Sequence, residues 1–61
     1  MKDKDGNDIL SGDRFYYTGS CEKGTMRKVE GEGDVIFWDD GEITWVHSFY
    51  DRSTSKELEK I

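Results

Sequence analysis

The sequence predicts an all-β fold, a small and strongly bent antiparallel barrel or meander of about five short strands, with one short helical turn near the C-terminus. Three observations carry this expectation. The 61-residue chain has no alanine and no proline, and its hydrophobic third is largely Ile, Val, Leu, Phe, Tyr and Trp, residues that suit a pleated, half-buried surface. Glycine and Asx clusters punctuate it at Asp5-Gly6-Asn7-Asp8, Ser11-Gly12-Asp13, Glu30-Gly31-Glu32-Gly33 and Asp39-Asp40-Gly41, each a turn signal. The runs between these turns are short and strand-like. A chain this small makes one domain, 1–61, and buries only about 60% of the surface its unfolded form exposes, so its stability margin is thin.

In chain order, residues 1–8 read as a flexible N-terminal turn, and Arg14-Phe15-Tyr16-Tyr17-Thr18 as an aromatic-rich strand. Gly24 to Val29 alternates weakly, whereas Val35 to Trp38 and Ile43 to Val46 are strongly strand-forming. After Trp45-Val46-His47-Ser48-Phe49-Tyr50 the pattern loosens. Thr54-Ser55-Lys56-Glu57 has the form of a capping box, which predicts a single helical turn with Leu58 and Ile61 closing onto the core. A short final strand over Glu57 to Ile61 is the preferred ending.

The stretch Phe37-Trp38-Asp39-Asp40-Gly41-Glu42-Ile43-Thr44-Trp45 admits two hairpin registers. A two-residue loop at Asp40-Gly41 places Trp38 opposite Ile43, and a three-residue loop at Asp39-Asp40-Gly41 needs a left-handed residue at its third position, which Gly41 supplies. The three-residue register is preferred because it gathers Val35, Phe37, Ile43 and Trp45 on one continuous apolar face. On that reading Trp45 belongs to the core and Trp38 lies at the surface. A one-residue slip exchanges the two.

Charge is unevenly distributed. Residues 1–28 sum to +1, residues 29–51 to −7 and residues 52–61 to +1, for a net −5. The acidic block, Glu30, Glu32, Asp34, Asp39, Asp40, Glu42 and Asp51, repels phosphate backbones, which argues against direct nucleic-acid binding. The single cysteine, Cys21, has no internal disulfide partner, and no apolar run approaches the ~18 residues of a spanning helix. A cytoplasmic protein without membrane contact is expected.

Gly12-Asp13-Arg14-Phe15, Gly24-Thr25-Met26, Asp34-Val35-Ile36-Phe37-Trp38-Asp39-Asp40-Gly41 and Trp45-Val46 resemble the SH3-like barrels of the Tudor and KOW type. The likeness covers roughly residues 9–61, and the chain is especially similar to the very small versions found in bacterial and phage proteins. It implies a binding module rather than an enzyme. Tudor-like readers of methylated side chains use an aromatic cage beside a carboxylate, for which Tyr16, Trp38, Tyr50 and Asp40 are the candidates here. The KOW-like habit of touching RNA goes with basic surfaces, from which this chain departs.

Chemistry-bearing motifs are otherwise sparse. Asp3 to Asp8 is superficially similar to a calcium loop, but its sixth position is Asp8 and its twelfth Arg14, where glycine and a bidentate glutamate belong. No metal or cofactor is expected. Cys21 and His47 are lone residues with nothing to bring them together as nucleophile and base, and no enzyme activity is expected. The residues instead predict a protein-binding surface with Trp38 as principal contact, Tyr16 and Tyr50 as flat apolar support, and Asp39, Asp40 and Glu42 steering a basic partner. Two rival readings use the same residues: carboxylates imitating nucleic-acid phosphates in a host protein's basic groove, and edge strands pairing into a homodimer.

Overall fold

Turn chemistry sets the strand boundaries, and all four expected turns form. The computed structural model describes residues 1–61 and contains β1 (Arg14–Tyr17), β2 (Glu22–Val29), β3 (Gly33–Trp38), β4 (Ile43–Trp45), α1 (Val46–Phe49), α2 (Arg52–Ser55) and β5 (Leu58–Lys60). The strands make one antiparallel sheet in the order β4-β3-β2-β1-β5, so β4 and β5 are its edges. The β3–β4 hairpin adopts the three-residue register: Phe37 pairs with Ile43 and Val35 with Trp45. Trp38 N–H donates to the Glu42 carbonyl at 2.9 Å, and Gly41, at φ 97°, occupies the left-handed position the loop requires.

The buried face is the opposite of the expected one. Ile36 (0% exposed) and Trp38 (8%) join Ile9, Phe15, Met26 and Leu58 in the core, whereas Phe37 (39%), Ile43 (47%) and Trp45 (39%) lie outside. Both the surface position expected for Trp38 and the core position expected for Trp45 are therefore overturned. Neighbouring strands supply the reason. Phe15, Gly24 and Trp38 form one cross-strand row, and Met26, Ile36 and Thr44 the next. The alternate rows place Arg14 and Thr25 beside Phe37 and Ile43, and Arg27 beside Val35 and Trp45. Turning that second face inward would bury two guanidiniums, which costs far more than burying Phe37 and Ile43 gains.

Gly24 is where the inner rows converge. A Cβ there would meet Ile36 Cγ2 and Phe15 Cζ at 3.0 Å and Trp38 Cε3 at 3.1 Å. Without a side chain, the indole of Trp38 sits edge-on to Phe15, centroids 5.6 Å apart, and its N–H donates to Thr44 Oγ1 at 2.9 Å. Phe49 from α1 closes this cluster, 5.6 Å from Trp38 and 5.1 Å from Tyr17.

The C-terminal segment forms the preferred final strand and also the helical turn that stood as its alternative, the turn lying further upstream. α2 is capped by Asp51, whose Oδ1 accepts from Thr54 N at 2.8 Å and Thr54 Oγ1 at 2.9 Å. The cap thus lies three residues before the one read from the sequence. β5 pairs with β1 and buries Leu58 completely, but Ile61 is 66% exposed and does not reach the core.

The turn at residues 1–8 is bonded to β5. Asp3, buried at 4% exposure, accepts from the backbone N–H groups of Asp5 (3.0 Å), Asn7 (2.8 Å) and Lys60 (3.0 Å), and Lys4 N–H donates to the Leu58 carbonyl at 2.9 Å. Burial pushes this carboxyl up, but the backbone donors of Lys60, Asn7 and Asp5 and the Asn7 side chain outweigh it and hold the pKa at about 2.

Two outcomes follow. Gly24→Ala overpacks the core and lowers stability by about 1–3 kcal/mol, read as an earlier urea midpoint; an unchanged midpoint would show that the three side chains yield freely. Asp3 binds its proton more weakly folded than unfolded, so its contribution is complete above the ordinary value of 3.8 and fades as pH falls toward about 2. The stability gap between wild type and Asp3→Asn therefore narrows across that window, and a gap independent of pH would refute the role.

Candidate functional site

The sheet carries apolar side chains on both faces, because Val35, Ile36, Phe37 and Trp38 are four such residues in succession. One face is the core. On the other, Phe37 and Ile43 are cross-strand partners and Trp45 lies beside Val35, which is only 2% exposed. Trp45 Nε1 donates to Glu32 Oε2 at 3.0 Å, which ties β4 to the β2–β3 turn. Beyond Phe37 lies a groove of about 400 Å³ lined by Thr25, Arg27, Lys28, Val29 and Phe37.

The acidic hairpin tip borders the same face. Asp39 accepts two hydrogen bonds from Arg14, 3.0 Å from Nη1 and 2.7 Å from Nη2, and the guanidinium holds its carboxyl below the usual range. The Arg14 Nη1 also donates to Thr25 Oγ1 at 3.2 Å. Asp40 Oδ1 accepts from Glu42 N–H at 2.9 Å and so shapes the turn, and both side chains remain exposed. Asp39 is thus neutralised locally, while Asp40 and Glu42 carry charge outward.

The six residues expected to make the contact surface are not brought together. Trp38 is buried, and its aromatic neighbours are Phe15, Tyr17 and Phe49 rather than Tyr16 or Tyr50. Tyr50 packs against the core cluster, and its hydroxyl accepts from Lys2 N–H at 3.2 Å. Tyr16 is half-buried between Lys23 and Glu59 in the ladder, its hydroxyl pushed up by Cys21 and Glu59. No cage forms from Tyr16, Trp38, Tyr50 and Asp40. Phe37 and Ile43, assigned to the core from sequence, take the exposed role, and the alternation of Met26 with Thr25 and Arg27 on β2 is the signal that identifies them.

The other chemistry-bearing residues stand apart. Cys21 Sγ donates to the Thr18 carbonyl at 3.8 Å, and His47 Nδ1 lies 3.3 Å from Ser48 Oγ. No group of three or more His, Cys, Asp or Glu side chains is close enough to hold a metal ion, and no helix is long and apolar enough to cross a membrane. No protein-family model matches the chain, and neither a curated protein nor a solved structure matches it.

The two tryptophans provide a direct check of which face is outside. With Trp38→Phe, the remaining Trp45 fluorescence is quenched strongly by acrylamide. With Trp45→Phe, the remaining Trp38 is protected. Equal quenching, or the reverse order, would overturn the assignment of faces.

Proposed function

We propose that this chain is a non-catalytic, SH3-like binding module whose contact surface for a protein partner is the outer face of β3 and β4. The observation that carries the proposal is the adjacency of Phe37, Ile43 and Trp45, each at least 39% exposed, in a chain with only seven buried hydrophobic residues. A protein with so thin a margin gains stability by covering such side chains, and contiguous exposed apolar groups mark interaction sites. Aromatic anchors within a charged rim are typical of the energetic centre of an interface. Asp40 and Glu42 act at that rim on basic groups of the partner, whereas Asp39 is already satisfied by Arg14.

The resemblance to Tudor- and KOW-type barrels of bacterial and phage proteins supports the same reading, and the exposed free thiol of Cys21 fits a reducing cytoplasm. Phosphate mimicry is the weaker account. Glu32 is engaged by the Trp45 indole, Asp39 by Arg14 and Asp51 by α2, so the acidic block does not present one continuous charged surface.

Affinity capture from bacterial lysate tests this with three proteins checked for folding: wild type, the double variant Phe37→Ser/Ile43→Ser, and the triple variant Asp39→Asn/Asp40→Asn/Glu42→Gln. The wild type retains a defined protein, the double variant loses affinity by roughly 30-fold or more, and the triple variant binds more weakly and with less dependence on salt. Equal capture by wild type and double variant would sink the proposal. A concentration-dependent dimer of the wild type, abolished by the double variant, would transfer the face to self-association.

A further inference from the structure

The cations of this acidic chain divide into paired and unpaired groups, and two of the unpaired ones line a groove. Of nine Lys and Arg residues, four are in ion pairs: Lys2 with Asp8, Lys4 with Glu59, Arg14 with Asp39 and Lys60 with Asp13. Among the unpaired five, only Arg27 and Lys28 line the outer-face groove, where Val29 and Phe37 provide its apolar surface. Scarcity of carboxylates is not the cause, since the chain has fourteen. Asp34 faces Lys28 across the ladder without forming an ion pair, and Arg27 faces buried Val35.

We infer that this groove recognises an acidic peptide segment, whose apolar side chain enters beside Val29 and Phe37 while neighbouring carboxylates meet Arg27 and Lys28. The inference rests on the outer face being a protein-contact surface. A guanidinium is weakly hydrated and presents a fork matched to a carboxylate, so an unpaired arginine on apolar surface selects for that group. About 400 Å³ accommodates one large side chain and its flanks. A nucleic-acid strand is disfavoured because Glu30, Glu32 and Asp34 on the adjoining turn and strand repel a continuous phosphate backbone. A peptide places only one or two carboxylates at the cations. The surface is then bipolar, with free carboxylates at the β3–β4 tip and free cations at the groove.

A displayed library of random dodecapeptides, panned on the wild type at low salt, tests the inference. Enriched sequences carry Asp or Glu next to an aromatic or aliphatic residue. A synthesised winner loses roughly tenfold or more in affinity against the Arg27→Gln/Lys28→Gln protein, and equally when its own acids become amides. Neither cation makes a side-chain hydrogen bond or ion pair, so the double variant keeps the fold. Enrichment of neutral or basic peptides that still require Phe37 and Ile43 would overturn the acidic specificity and leave the binding surface standing. No enrichment sensitive to Phe37→Ser/Ile43→Ser would remove the surface as well. Displacement of the winner by a single-stranded oligonucleotide, with the same dependence on Arg27, would make this a phosphate site instead.

Discussion

The architecture depends on the contact of Trp38 with the bare backbone of Gly24. Phe15 from β1 and Ile36 and Trp38 from β3 all reach that point from the two strands flanking β2, and a single methyl group would meet each of them at 3.0 to 3.1 Å. Because the ring settles there, the Trp38 indole N–H reaches Thr44, which locks the β3–β4 register, and its other edge receives Phe49. The helical turn α1 thereby packs onto the sheet despite burying no residue of its own completely. A glycine in the middle of a strand ordinarily weakens it. Here that cost is offset by the close approach of the largest side chain in the chain, worth about 3–5 kcal/mol when such a ring is well packed.

Once that ring points inward, the rest of β3 follows by alternation. Phe37 must point outward, together with its partner Ile43, and Trp45 must lie on the same side. The face they form has no covering element, since α1 and Leu58 of β5 are committed to the inner side. Val35 is covered only by its neighbours on this face, among which Trp45 is its direct cross-strand partner. The Trp45–Glu32 hydrogen bond holds that indole in place, so the face is partly ordered as it stands. Preorganisation of this kind reduces the entropy lost on binding.

The strands, four of the turns and the β3–β4 register are legible because glycines such as Gly41 and the Asx residues mark where the chain reverses. The β1–β2 turn at 18–21 carries no such cluster. The face was not legible within β3 itself: Val35-Ile36-Phe37-Trp38 is apolar at every position, so alternation is silent there. The deciding pattern lies one strand away. A three-residue turn at Glu30-Gly31-Glu32 pairs Gly24 with Trp38 and Met26 with Ile36, leaving Thr25 and Arg27 opposite Phe37 and Val35. Polar residues on β2 thus mark the outer face that β3 leaves ambiguous. α1 is not legible because four residues give no helical period, and Val46 and Phe49 read equally well as strand. The cap of α2 was misplaced because Asp51, Thr54 and Glu57 share one spacing, and only the hydrogen bonds to Asp51 tell which residue caps.

Magnitudes constrain what the outer face can do. Fully burying a large apolar side chain is worth about 1.5–3 kcal/mol, so completing the burial of Phe37, Ile43 and Trp45, each roughly half covered already, yields about 3 kcal/mol in total. A micromolar complex needs about 8 kcal/mol beyond the cost of association. The apolar patch of this chain therefore supplies less than half of that, and the rest would have to come from a partner's own apolar surface and from the charged groups around the patch. Their arrangement is asymmetric: Arg14 is spent on Asp39, which leaves Arg27 and Lys28 free at one end and Asp40 and Glu42 free at the other. A partner that satisfied only one sign would leave the opposite end repelling it or unsatisfied. On the proposed reading, affinity and orientation on this face would be coupled, since charges that contributed to the missing free energy would also fix which way a segment ran across the sheet.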